Sequence, residues 1–226
     1  MKATISGDII SSTALSPEGR VLLEQQLQEL VELLERQYGI FARVIKGDYL
    51  ECYLSKPELA LRIALLIKCY IKSAAIDRDS RKRRISLFRT HAIRLAIGVG
   101  EITRFDAQKG IIDGEAIYLS GRLINKQGSG HKERSTIKST LFVGASHQAI
   151  EDEFDPVLAL LDVIISKSTA RQCEIIYLKL LGLNEEEIAH KLQISQSAVN
   201  QHSRSVGWNA IDKALNRFST AIQNYR

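Results

Sequence analysis

Cysteine is scarce in this chain and poorly spaced. The 226 residues hold three, Cys52, Cys69 and Cys173, far apart and odd in number. With no Cys-x-x-Cys pair, a disulfide framework and a zinc site are both disfavoured, and a reducing, cytoplasmic setting is expected. The five histidines are scattered without the spacing of metal ligands. Long apolar runs are missing too. The most apolar stretch, Leu59 to Ile71, is broken by Arg62 and Lys68, so it is too short and too charged to span a bilayer, and no membrane partner is expected. The opening Met1-Lys2-Ala3-Thr4-Ile5-Ser6-Gly7-Asp8 meets an acid at once and lacks the apolar core of a signal peptide. No Gly-x-Ser-x-Gly elbow and no Cys/His nucleophile signature occurs. Gly128-Ser129-Gly130-His131-Lys132 lacks the length and the strand-loop-helix frame of a P-loop.

What is present is ordinary globular material. A hydrophobic share of 45% and a charged share of 25% allow a sizeable core. The net charge of +5 permits a polyanionic partner without requiring one. Thr4 to Ile10 is β-like, and Ser16-Pro17-Glu18 reads as the N-cap, N1 proline and acidic first turn of a helix that Gly39 ends. Ile40 to Ile45 and Tyr49 to Ser55 read as a hairpin turned at Gly47-Asp48. Lys56-Pro57-Glu58 opens a second helix, to about residue 75. Arg78 to Arg84 reads as a polar, solvated loop, with contact of Arg81-Lys82-Arg83-Arg84 to DNA phosphates as the weaker alternative. His91 to Glu101 reads as a strand with Ile93, Leu95, Ile97 and Val99 on one face, and Phe105 to Ile112 as one short strand. A helix is expected over Glu115 to Asn125, a loop over residues 126–139, and a last strand over Thr140 to Val143. Ser146 to about Ser166 is helical, with an interruption expected at Pro156. The pattern predicts an α+β fold, a mainly antiparallel sheet with helices, over residues 1–150, then a connecting helical segment, 151–167, and a small all-α unit, 168–226.

The all-α unit holds the most informative run, Glu187-Ile188-Ala189-His190-Lys191-Leu192-Gln193-Ile194-Ser195-Gln196-Ser197-Ala198-Val199. It reads as two short helices joined by a tight turn, the geometry that lays a helix in a DNA major groove. Asn184 caps the first helix and Glu185, Glu186 and Glu187 fill its first turn, where the helix dipole favours acids. Ile188, Ala189 and Leu192 face inward, Ile194 plugs the turn, and Ser195 caps the second helix. Gln193 occupies a turn position often given to glycine. Gln196, Ser197, Asn200, Gln201 and Arg204 are left outward, and these residue types suit base edges and phosphates. The competing reading is a small bundle that binds protein or packs on the first domain. The segment resembles region 4 of sigma-70 factors and the DNA-binding helices of LuxR-type regulators. The string Ile194 to Gln201 through Gly207-Trp208 is similar to the C-terminal segment of the SatD-like family. These resemblances imply DNA as partner, with a sigma-like contact to RNA polymerase as an alternative.

In the first domain, Asp8-Ile9-Ile10-Ser11-Ser12-Thr13 ends the first strand, and Lys46-Gly47-Asp48 forms the hairpin turn. A β-α-β-β order can bring the two tips side by side, where Asp8 and Asp48 form a plausible Mg²⁺ pair completed by phosphate oxygens. Simpler roles compete: Asp48 as a turn residue, Asp8 as a helix cap. This arrangement is similar to class III nucleotide cyclases, which implies Mg²⁺ with a nucleotide at Asp8 and Asp48. Ile93 to Gly100 resembles the family's following strand, and Gly114 to Leu123 its catalytic helix, on which Arg122 falls at the nucleotide-binding arginine. Tyr118 stands where the family has a catalytic Asn, and Val44 where it has a base-selecting Lys. The resemblance therefore implies a cyclase-like fold that has lost cyclase chemistry, a pattern SatD-like proteins share. The expectation is a DNA-binding regulator with a sensory or dimerising cyclase-like domain, working as a homodimer. The alternative is a nucleotide-binding enzyme using Asp8, Asp48 and Arg122.

Overall fold

A computed structural model describes residues 1–74, 76–77, 80–128, 137 and 139–225, with backbone alone at 127 and 128. Most of the loop expected over 126–139 therefore lies outside the described residues. The main sheet has five strands: β1 (Lys2–Ile9), β2 (Phe41–Ile45), β3 (Tyr49–Leu54), β4 (Ile93–Gly100) and β7 (Leu141–Ala145), ordered β2-β3-β1-β4-β7. All pairs are antiparallel except β4 with β7. A separate two-stranded hairpin, β5 (Arg104–Asp106) with β6 (Ile111–Asp113), replaces the single strand expected there.

Alternation along the strands assigns the two faces. Ala3, Ile5 and Ile9 of β1, with Leu95, Ile97 and Val99 of β4, turn into one core. Over it lie α1 (Pro17–Tyr38), α2 (Ala60–Ser73) and α5 (Gln148–Lys167). Thr4 and Ser6 point the other way, towards α4 (Glu115–Gly128), where both hydroxyls meet Ser120 Oγ at 3.0 and 2.8 Å. The α4 backbone sits directly on β4: a Cβ on Gly98 would fall 2.0 Å from the Ala116 carbonyl oxygen.

Local chemistry explains the two ends of α1. Ser16 caps α1 through Gly19 N–H, Pro17 follows at N1, and Gly39 closes the helix left-handed at φ 62°. Asp8 lies inside β1, and Ser16 is the residue that caps the helix after it. Two expectations need correction. The Arg/Lys-rich segment is not loop throughout, because Arg83 and Arg84 open α3 (Arg83–His91), whose buried side chains are Ile85 and Phe88. Nor does Pro156 interrupt α5, which runs through it. The proline lies on the solvent side, where water can satisfy the carbonyl it leaves unpaired, while Phe154, Leu158, Leu161 and Ile165 hold the inner side in the core.

The last four helices are α6 (Ala170–Leu180), α7 (Glu185–Leu192), α8 (Gln196–Val206) and α9 (Trp208–Asn224). Helix α6 has two apolar faces. Cys173, Ile176 and Leu180 join the main core, while Ile175 and Leu178 form a second cluster with Ile188, Ala189 and Val199. Helix α9 returns to the main core through Ile211, Leu215, Phe218 and Ile222, with Phe218 edge-on to Phe154 at 4.9 Å.

Candidate functional site

The first sequence-predicted site lies where β1 ends and the β2–β3 turn begins. The turn passes through left-handed Lys46 (φ 54°) and Gly47 (φ 81°), and its Asp48 carbonyl accepts from Ile9 N–H at 3.0 Å. That bond ties the two tips together, and Asp8 and Asp48 line one cleft of about 580 Å³. Ser11, Ser12 and Thr13 also line it, and Arg84 and Arg94 supply its positive charge. Arg122 is exposed on α4 and is not among the residues lining the cleft.

The carboxylates already have partners. Arg94 lies directly opposite Asp8 in the β1–β4 register, and its Nη1 donates to both Asp8 oxygens at 3.2 and 3.1 Å. Ser12 Oγ donates to Asp48 Oδ2 at 2.8 Å, and Arg84 reaches Thr13 Oγ1 at 3.0 Å. A guanidinium thus supplies at Asp8 the charge compensation that a divalent cation would give. Among the described residues, no group of three or more His, Cys, Asp or Glu comes together to hold a metal. Mg²⁺ seeks several hard oxygen ligands in octahedral array, and a carboxylate pair with a cation bonded to one member does not fit it. Tyr118 is committed as well: its hydroxyl donates to Asp113, a bond that raises its pKa above the ordinary phenol value.

Arg94 escapes the sequence reading, which also does not place Ser12 or Arg84 as partners at this cleft. The available signal was the alternation of β4, in which Arg94 is the one charged residue of an otherwise apolar and glycine-bearing strand.

The second site is α7, the turn Gln193-Ile194-Ser195, and α8. Asn184 and Glu187 form a reciprocal capping box, with Asn184 Oδ1 accepting from Glu186 and Glu187 N–H at 2.9 and 3.0 Å and Glu187 Oε2 accepting from Asn184 N–H at 2.8 Å. Gln193 is left-handed at φ 53°, ψ 45°, and Ser195 caps α8 through Ala198 N–H at 3.2 Å. Val199, Ser203 and Val206 are the buried side of α8, whereas Gln196, Ser197, Asn200, Gln201 and Arg204 are all exposed. Glu185 stands beside that exposed face. It accepts from Lys179 at 3.0 Å and from Asn200 Nδ2 at 3.3 Å, and the Lys179 bond leads in holding its carboxyl below the usual range. Lys179 also lies over the Trp208 ring, 5.5 Å from its centroid.

No protein-family model matches the chain, and no curated protein is similar to it. Among solved structures, it is similar to two of a bacterial light-regulated adenylyl cyclase, at 15% and 16% identity and TM-score 0.40. The match covers 62% of this chain and 42% of theirs. It is also similar to the guanylyl cyclase Cya2, at 13% identity and TM-score 0.35, over 55% of this chain and 69% of that one. The chain spans about two fifths of the length of the first two. No described helix is long and apolar enough to cross a membrane.

Proposed function

We propose that the chain is a DNA-binding transcriptional regulator. Residues 168–226 contact DNA through a helix-turn-helix, and the α+β part serves as a sensory or dimerising unit. The observation that carries this reading is the division of α8, which buries Val199, Ser203 and Val206 while exposing an unbroken polar row from Gln196 to Arg204. Asn200 and Gln201 offer paired donors and acceptors for adenine, Arg204 suits guanine or phosphate, and Gln196 and Ser197 lie at the helix N-terminus, where phosphates bind. The cleft at Asp8 and Asp48 fits the sensory role: Arg84 and Arg94, with the hydroxyls of Ser12 and Thr13, favour an anionic ligand such as a nucleotide. Because Arg94 already compensates Asp8, the reading gives that ligand no resident metal.

Gel-shift titration of the chain against fragmented bacterial genomic DNA tests the proposal. Retardation that weakens steeply with salt is expected, since each neutralised phosphate releases counterions. No shift with any fragment at low salt overturns it. Turnover of ATP or GTP with Mg²⁺ or Mn²⁺, lost in Asp48→Asn, would favour the enzyme reading instead. Capture of RNA polymerase that survives nuclease treatment would favour a sigma-like role.

A further inference from the structure

Helix α5 carries an apolar stripe that no other described residue covers. Leu160 is 67% exposed and Val163 48%, and Pro156 and Ala159 are exposed beside them. The same face continues to exposed Asp152 at one end and to exposed Lys167 at the other. At 3.6 residues per turn these six positions fall within about 100° of the helix circumference. The stripe is also symmetric. Its midpoint lies between Ala159 and Leu160, with Pro156 and Val163 equidistant from it, and Asp152 and Lys167 equidistant further out.

We propose that this face pairs with itself, α5 against α5 of a second copy, antiparallel about a two-fold axis passing between Ala159 and Leu160. Self-complementarity selects the occupant, because an isologous interface requires each position to meet its mirror position. In this register Ala159 meets Leu160 of the other copy, Pro156 meets Val163, and Asp152 meets Lys167, an opposite-charge pair formed twice. Antiparallel packing also sets each helix's N-terminus beside the other's C-terminus, which the helix dipoles favour. A partner of different sequence would have no reason to match the reversal of charge from one end to the other. A single helix pair is smaller than a standard interface, so dissociation in roughly the micromolar range is expected.

Sedimentation across protein concentration, without DNA, tests the pairing. The chain should dimerise, and Leu160→Asp should weaken the dimer roughly tenfold or more. Lys167→Asp should weaken it as well, and adding Asp152→Lys should restore it. Register is read by disulfide trapping, with little background because Cys52, Cys69 and Cys173 are all buried. Pro156→Cys mixed with Val163→Cys should cross-link readily. Pro156→Cys alone should not, because its two copies lie about 10 Å apart along the axis. A monomer at every concentration, a dimer indifferent to Leu160→Asp, or equal trapping by single and mixed cysteines would overturn the proposal. All substituted positions are exposed, so the variants should fold, and circular dichroism checks that they do.

Discussion

Asp162→Asn removes one charge from a buried pair while nearly preserving its shape. Lys68 on α2 is wholly buried, and its Nζ donates to the His91 and Ile93 carbonyls at 3.1 and 2.9 Å and to Thr140 Oγ1 at 2.6 Å. Asp162 on α5 lies 3.3 Å from that ammonium and accepts from Thr140 Oγ1 and Thr140 N–H, both at 2.6 Å. The network thus fastens α5 and the start of β7 to α2. Breaking a buried pair on one side costs about 3–5 kcal/mol, because the remaining charge stays desolvated. Asp162→Asn should fall near 3 kcal/mol, since Lys68 keeps three acceptors. For a chain of this length that is a fall in Tm of roughly 6–12 °C. Lys68→Met should cost at least as much. Lys68→Met with Asp162→Asn leaves no charge behind, so the double variant should lose far less than the sum of the singles. Urea unfolding of the four proteins measures this. Singles costing under about 1 kcal/mol each, and adding in the double, would refute the coupling. The pH dependence has a definite sign. Burial opposes the Asp162 charge, but Lys68 and Thr140 outweigh it and hold the carboxyl below its usual value. Its stabilising contribution is therefore present above the unfolded carboxyl pKa, about 3.9. It is lost as pH falls through the lower folded value, and Asp162→Asn should lack that portion of the acid loss.

Three further outcomes follow from the packing and the caps. Gly98→Ala should destabilise by about 1–3 kcal/mol or prevent folding, because the new methyl meets the Ala116 carbonyl; an unchanged urea midpoint would contradict the α4–β4 contact. Asn184→Ala should cost about 1 kcal/mol through loss of the capping box, and Gln193→Gly should recover part of that by relieving the left-handed turn, both read as shifts in thermal midpoint. Glu185→Gln should strengthen DNA binding severalfold by removing a negative charge beside Asn200, measured by fluorescence anisotropy; weaker binding would count against the assigned face.

Much of this fold is legible where one face of an element is buried and the other is not. The apolar positions of β3 alternate, and α1 carries its leucine stripe between a serine cap and a closing glycine. Legibility fails where long-range packing overrides local signals. Pro156 reads as a break, yet the core side of α5 holds the helix through it. Helix α3 has too few apolar residues to announce itself; its buried side chains are Ile85 and Phe88, and Phe88 joins the main core. The meeting of Asp8 with Asp48 follows from strand order, whereas the pairing of Asp8 with Arg94 depends on a register that no local pattern encodes. Around α7 and α8 the caps, the turn and the buried positions are nearly all written in the sequence, because short helices depend on local chemistry. The two-faced character of α6, which binds that region to the main core, becomes apparent only once α2 is in place.

The central claim concerns the outer face of α8. The direct measurement is an equilibrium titration of the chain against DNA selected by it from a random pool, repeated with Gln201→Ala and Arg204→Ala. The account predicts an enriched sequence, a loss of about 1–3 kcal/mol for each substitution that contacts a base, and relaxed preference at the matching position. Enrichment of no sequence, or full affinity and unchanged preference in both variants, would contradict it.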